Sequence, residues 1–271
     1  MSRHSDANSS RGAGSGHVRN AVAIGRAWLQ TAGRTVADII VPPVCLGCHT
    51  ALAAHDTLCP DCWRGIDFIR PPLCDRLGLP MPFDAGERMI SAAADPPVYD
   101  RARAVARYDG TMRDLVLSLK FHDQQQARRL FGRWLVDAGR DLVDDAEIIV
   151  PVPLSRMRLI WRRFNQSAVL AQEVGRLTGI PFQPLALVRT RRTRPQPGLT
   201  RNERAANVRG AFDVPAAYRA EISGRAVLLI DDVVTTGATI SACAKALKSS
   251  GARRVDVLVL ALVTDQALVT R

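Results

Sequence analysis

The sequence contains no apolar run long enough to cross a bilayer: the longest, residues 257–263, falls well short of the about 20 residues a spanning helix needs. Residues 1–20 are rich in Ser, Gly and Arg and lack an apolar segment, so no secretory signal is expected and the cytoplasm is the expected compartment. The common glycine-based phosphate motifs are missing too. Gly12, Gly14 and Gly16 lie in a polar stretch with no strand before them, and no Walker sequence occurs, which excludes the usual dinucleotide and P-loop readings. The arginine-rich stretches hold few aromatic residues, which argues against base stacking while leaving phosphodiester contacts open.

What is present begins with charge and cysteine. Lys+Arg 37 against Asp+Glu 26 gives a net charge of +11, a balance suited to anionic partners such as phosphorylated metabolites or nucleic acid. A chain of 271 residues with 47% hydrophobic content can bury one large core or two unequal ones. Four cysteines form two Cys-x-x-Cys turns, Cys45/Cys48 and Cys59/Cys62, separated by a short loop. Two such doublets place four thiolates around one tetrahedral site, the requirement of structural Zn²⁺, whereas a redox dithiol would need only one. Cys74-Asp-Arg-Leu77-Gly78 reads as the start of another such turn with Leu77 where the second cysteine would stand. A lone thiolate makes no site, so Cys74 is expected to be a free or packed residue.

The most informative stretch is Val227-Leu-Leu-Ile-Asp-Asp-Val-Val-Thr-Thr-Gly-Ala-Thr239. Its apolar start reads as a strand buried on both faces, its Thr-Gly cluster as a break, and Ile240, Cys243, Ala244 and Leu247 as a helix closing near Gly251. Thr235, Thr236 and Thr239 offer hydroxyls, and the backbone N–H groups around Gly237 would point from a helix N-terminus toward an anion. Asp231 and Asp232 would be repelled by a bare phosphate, so their expected partners are sugar hydroxyls or a hydrated Mg²⁺ bridging the ligand. The full string resembles the phosphoribosyl pyrophosphate (PRPP) binding signature of type I phosphoribosyltransferases. That resemblance implies that Asp231 and Asp232 contact ribose hydroxyls while the segment Val233, Val234, Thr235, Thr236, Gly237, Ala238 and Thr239 holds the 5′-phosphate.

The rest of the chain gives an organisation. Residues 1–18 read as a disordered tail, 19–80 as a packing helix over 22–40 plus a zinc-ribbon-like domain, 81–98 as a proline-rich linker, and 99–271 as the larger domain. Strands are expected over 104–108, 147–153, 182–188, 210–214 and 255–263, and helices over 111–121, 124–140 and 165–179. Strands alternating with helices imply an α/β fold whose mainly parallel sheet is covered by helices on both faces.

Two acid-poor segments belong near the opening acids. Residues 154–166 begin at Leu154 and carry Arg156, Arg158, Arg162 and Arg163 without any acid; following a strand end, they can face the same crevice as Asp231 and Asp232. Residues 189–209 carry seven arginines and one acid, with Pro195, Pro197 and Gly198 interrupting any regular element. They are expected to be mobile without ligand.

Taken together, the cysteine doublets, Val150-Pro-Val-Pro153, Arg162-Arg-Phe-Asn-Gln166, Pro195-Gln-Pro-Gly-Leu-Thr-Arg-Asn-Glu-Arg204 with Asn207, and the Asp-Asp-x-x-Thr-Thr-Gly string resemble the ComF family of competence-associated phosphoribosyltransferase-like proteins. The resemblance covers roughly residues 40–265. It implies a type I phosphoribosyltransferase fold with an N-terminal zinc-binding segment, a pyrophosphate loop with Leu154, Arg156, Arg162 and Arg163, and a flexible loop with Gln196, Arg201, Arg204 and Asn207. Arg163 stands where the commoner family form has Gly, so a turn built on a left-handed residue must differ here. The resemblance implies PRPP and Mg²⁺ as ligands, an unidentified small-molecule acceptor, and links with DNA uptake that leave single-stranded DNA or competence proteins open as partners. Two functions follow as expectations: a Mg²⁺-dependent transferase displacing pyrophosphate from the ribose anomeric carbon, or a PRPP-sensing or DNA-associated binding protein of the same fold without turnover.

Overall fold

The computed structural model describes residues 42–81, 96–121, 125–154, 159, 164–191, 193 and 200–263. The expected tail over 1–18, the helix over 22–40 and most of the linker over 81–98 lie outside them. In chain order the elements are α1 (Pro60–Arg64), β1 (Arg101–Arg107), α2 (Gly110–Phe121), α3 (Gln125–Ala138), α4 (Arg140–Val143), β2 (Ile148–Pro151) and α5 (Gln166–Thr178). They continue with β3 (Val188–Arg189), α6 (Arg201–Val208), β4 (Phe212–Asp213), α7 (Ala216–Ile222), β5 (Ala226–Val234), α8 (Ala238–Ser249) and β6 (Arg254–Leu262).

Four strands form one sheet in the order β1-β6-β5-β2, with every pairing parallel. The two central strands are the apolar runs, and their side chains alternate between two cores. Val227 and Leu229 of β5 with Val255, Val257 and Val259 of β6 meet Ile240, Cys243 and Leu247 of α8. Leu228, Ile230, Leu258 and Leu260 meet Phe131 and Leu135 of α3 and Leu170 and Val174 of α5. Burying each such side chain contributes about 1.5–3 kcal/mol, so the continuous apolar runs require cover on both faces and receive it. Because the strands are parallel, every connection crosses over, which brings all the carboxyl ends of the strands to one side.

The short strands depart from expectation. The segment expected as a strand over 182–188 pairs only at Val188–Arg189, antiparallel to Phe212–Asp213, with a separate parallel bridge from Ile149 to Phe182. Pro181 and Pro184 bracket that bridge and supply no N–H to extend a ladder. Helix α6 is a second departure, since no regular element was expected between residues 189 and 209. Thr200 caps it in a full capping box, its hydroxyl meeting the Glu203 N–H and the Glu203 carboxylate meeting the Thr200 N–H. The helix packs on α8 and buries Val208.

The N-terminal cysteine segment is attached along the free edge of the sheet. Ile69 N–H donates to Val105 O at 3.0 Å and Arg107 N–H to Asp67 O at 2.9 Å, so residues 67–69 cover part of β1. Trp63 packs against Phe68 and Trp134 with ring centroids 4.9 and 5.7 Å away, joining α1 to α3.

Residues 44–51 and 73–80 form the same hairpin twice. In the first, Cys45 N–H donates to Thr50 O at 2.8 Å and His49 N–H to Cys45 O at 2.9 Å; in the second, Cys74 N–H donates to Leu79 O at 2.8 Å and Gly78 N–H to Cys74 O at 2.7 Å. His49 and Gly78 occupy the same left-handed position, with φ of 61° and 67°. Leu77 therefore stands where Cys48 stands in the first turn, and it is buried in the core beside Leu79. A Cβ at Gly78 would lie 2.7 Å from the Ala102 carbonyl oxygen of β1. His49 demonstrates that a side chain tolerates the conformation, so the contact with β1 is the larger obstacle. We expect Gly78→Ala to lower unfolding free energy by about 1–3 kcal/mol in chemical denaturation. An unchanged midpoint would show that the second turn does not bear on the sheet edge.

Candidate functional site

Metal ligation comes first in the chain. The donor atoms of Cys45, Cys48, Cys59 and Cys62 lie within 4.8 Å of one another, and Cys48 Sγ is 3.6 Å from Cys59 Sγ. Tetrahedral zinc with Zn–S bonds of about 2.3 Å places sulfurs about 3.8 Å apart, so the donor set fits structural Zn²⁺. Backbone donors help it. Gly47 and Cys59 N–H groups point at Cys45 Sγ, at 3.4 and 3.2 Å, and Cys62 N–H points at Cys59 Sγ at 3.4 Å. Hydrogen bonds from Thr50 bring the Cys48 thiol down to about 6. Burial and the neighbouring sulfurs push Cys62 the other way. Cys74 sits in the second turn with Leu77 opposite it, and the chain's remaining cysteine, Cys243, is buried in α8.

The second site is built at the carboxyl end of β5. The strand runs on through both acids to Val234, so Asp231 and Asp232 are strand residues held by the ladder to β6. Asp231 is 9% exposed and its Oδ1 accepts the Ser167 hydroxyl at 2.7 Å and the Asp232 N–H at 2.9 Å. Asp232 is half-buried, and its Oδ1 accepts the Val233 N–H at 2.7 Å. Val233 and Val234 carry the strand to the loop, where Thr235, Thr236, Gly237, Ala238 and Thr239 are all half-buried.

Gly237 occupies the position before α8 with φ of 77°, and no side chain caps that helix. A Cβ there would meet no atom within 4 Å. The loop thus combines a left-handed glycine, open room above it and a helix start whose leading N–H groups carry partial positive charge. Arg204 of α6 reaches Thr235 Oγ1 at 3.5 Å, which brings one predicted flexible-loop residue to the predicted phosphate loop.

Other predicted residues divide between placed and undescribed. Leu154 follows β2 and is half-buried, whereas Arg156, Arg158, Arg162, Arg163 and Gln196 lie outside the described residues. Arg201 begins α6, and Asn207 lies on that helix with its carbonyl accepting from Arg191 at 3.0 Å. The base of the 154–164 segment is tied by Asn165, which donates its side-chain amide to Val152 O at 3.0 Å and accepts the Ser167 N–H at 3.2 Å, capping α5.

Sequence reasoning did not single out Ser167 or Arg189. Arg189 lies over the Phe212 ring, 5.3 Å from its centroid, and donates to Thr193. Burial raises the Cys243 thiol strongly, the Asp231 charge adds to that and the Arg189 charge opposes it. A cavity of about 1000 Å³ runs along the outer side of α8 and touches Thr236, Gly237 and Ala238, but Asp231 and Asp232 do not line it.

A double zinc ribbon domain matches residues 36–93, and a phosphoribosyl transferase domain matches residues 165–269. Competence protein F of Haemophilus influenzae is 31% identical over 224 residues, spanning 80% of this chain and 96% of that protein. The chain belongs to the ComF family. DNA utilization protein YhgH of Escherichia coli K12 is 32% identical over 232 residues, 81% of this chain and 96% of its own length. Competence protein ComFC of Streptococcus pneumoniae is 30% identical over 159 residues, covering 58% of this chain and 66% of the relative.

For this ComF protein the fold is that of the type I phosphoribosyltransferases, with a parallel sheet, covering helices and an N-terminal zinc ribbon. Among the described residues no helix is long and apolar enough to cross a membrane. The double-ribbon match extends across the second turn, where this chain has Leu77 in place of a ligand. We expect purified protein to carry one zinc per chain by elemental analysis, Cys74→Ser to keep it and Cys62→Ser to lose it. Two zincs in the wild type, or none in Cys74→Ser, would contradict the ligand assignment.

Proposed function

We propose that this ComF protein binds PRPP with Mg²⁺ at the carboxyl end of β5 and transfers its phosphoribosyl group, displacing pyrophosphate from the anomeric carbon. The observation that carries this reading is the uncapped start of α8 behind Gly237, whose open room accommodates a phosphate, placed directly after two strand-end carboxylates. A phosphate there accepts the leading N–H groups and the threonine hydroxyls. Asp231 and Asp232 accept ribose hydroxyls, which orients the sugar so that its anomeric carbon is presented to the acceptor.

Arginines of the 154–166 and 189–209 segments stabilise the charge that develops on the leaving diphosphate; Arg204 already stands at the loop. Bound with the diphosphate, a hydrated Mg²⁺ would supply further charge neutralisation, with Asp231 and Asp232 as the carboxylates able to contact it. In this reading residues 99–271 form the catalytic domain, residues 19–80 a zinc-stabilised appendage, and the protein works in the cytoplasm on a small-molecule acceptor.

A second reading draws support from the relatives' names, competence protein and DNA utilization protein. Here the same site senses PRPP, with single-stranded DNA or competence proteins as partners and no turnover. Supplying PRPP, Mg²⁺ and a panel of nitrogen bases separates the two: pyrophosphate release supports transfer, and binding without release supports sensing.

Two substitutions test the site by calorimetric titration of PRPP with Mg²⁺. Gly237→Val puts a branched side chain into the phosphate room and strains the left-handed backbone, so binding is expected to fall by tenfold or more, about 1.4 kcal/mol. Asp232→Asn keeps shape but removes charge, and turnover is expected to drop about a hundredfold, about 3 kcal/mol, more than affinity does. Absence of wild-type binding, or wild-type affinity in Gly237→Val, would remove the phosphoribosyl reading.

A further inference from the structure

The acid pair has a partner on a different element. Ser167 lies in the first turn of α5, immediately after the arginine-rich 154–164 segment, and is 3% exposed. Its hydroxyl donates to Asp231 Oδ1 at 2.7 Å across 64 residues of sequence. Its own N–H donates to Asn165 Oδ1, and Asn165 in turn donates to Val152 O, so the serine is fixed to the strand end that opens the arginine segment. One chain of hydrogen bonds therefore joins Val152, Asn165, Ser167, Asp231 and the Asp232 N–H.

Asp231 is followed on its strand by Asp232, and the charges of Asp231 and of Arg189 on β3 both act on the buried Cys243 thiol of α8. A neutral donor from α5 complements them, because a hydroxyl aimed at one carboxylate oxygen fixes the plane of the group as well as favouring its ionised form. The partial positive charge at the start of α5 acts in the same direction.

We propose that Ser167 is a positioning residue that fixes the orientation of the Asp231 carboxylate and couples it to the base of the arginine-rich segment. This inference deepens the phosphoribosyl reading and rests on it for the ligand, while the contact between the two side chains stands apart from it. Truncating the serine leaves the strand and helix intact, since alanine suits the first turn of a helix, but removes the donor that reaches Asp231 from another element.

The test uses the full chain in four forms: wild type, Ser167→Ala, Ser167→Thr and Asp231→Asn, together with the Ser167→Ala/Asp231→Asn double variant. In the ligand-free protein, the Asp231 carboxyl carbon is followed by NMR against pH, assigned by its loss in Asp231→Asn. Loss of the donor is expected to move its titration midpoint up in Ser167→Ala, with Ser167→Thr returning it toward wild type. PRPP with Mg²⁺ is then titrated by calorimetry. Affinity is expected to fall about tenfold in Ser167→Ala, with the loss on acidification beginning at higher pH, and to be recovered in Ser167→Thr. In the Asp231→Asn background the same serine change is expected to add less than twofold, since the group it positions is gone.

An unmoved carboxyl titration in Ser167→Ala overturns the proposal, as does full additivity in the double variant. If the wild type binds no PRPP, the phosphoribosyl reading falls, and the ligand-free titration still decides whether Ser167 holds Asp231.

Discussion

The ladder that binds β5 to β2 and β6 is the constraint on which the rest of the molecule depends. A strand buried on both faces must satisfy its backbone groups internally, and β5 does so by pairing with β6 from Ala226 to Val234 and with β2 from Val227 to Ile230, the Asp231 and Asp232 carboxylates accepting the next two N–H groups. The ladder thereby carries two carboxylates to the upper edge of the sheet and releases the chain into a tight loop at a fixed point. Where β5 stops, α8 must start, and the turn between them has to be small enough for Gly237 to take a left-handed conformation. The loop over 235–239 is thus the geometric consequence of ending a buried strand against a helix.

Charge is sorted between the two ends of that sheet. At the amino ends, acids and arginines neutralise one another: Asp256, buried on β6, is held by Arg101 at 2.7 Å and Arg254 at 3.1 Å, and Glu147 meets Arg253 at 2.8 Å. The Arg101 hydrogen bond and the Arg254 charge hold the Asp145 carboxyl below its ordinary range. Many of the acids in a chain of net charge +11 are consumed there. At the carboxyl end of β5, by contrast, Asp231 meets the neutral Ser167 hydroxyl and Arg204 of α6 reaches Thr235.

The cysteine segment repeats a backbone turn with two different sources of stability. In the first turn four thiols converge, and metal binding supplies the energy of closure. In the second, Leu77 and Leu79 enter the main core, and Asp75 meets the buried Arg103 of β1 at 2.7 Å. Hydrophobic burial and one ion pair take over the role that a ligand set plays in the first turn. The same change fastens this part of the chain to the sheet edge.

Much of this was legible in order along the chain because the signals are local. Continuous apolar runs named the central strands, paired Cys-x-x-Cys turns named the metal ligands, and the Asp-Asp to Thr-Thr-Gly string placed acids and phosphate loop side by side. Helix α6 was legible as well, through Thr200-Arg-Asn-Glu203, but the prolines before it pointed toward an irregular loop, and a capping box outweighs prolines that lie outside the helix. What the sequence could not supply was anything depending on distant partners. That residues 182–188 pair so little, that Leu77 packs into the main core, and that Ser167 meets Asp231 all follow from which elements the parallel crossovers bring together. A hydroxyl and a carboxylate 64 residues apart leave no periodicity or spacing to read; only the sheet order sets them 2.7 Å from each other.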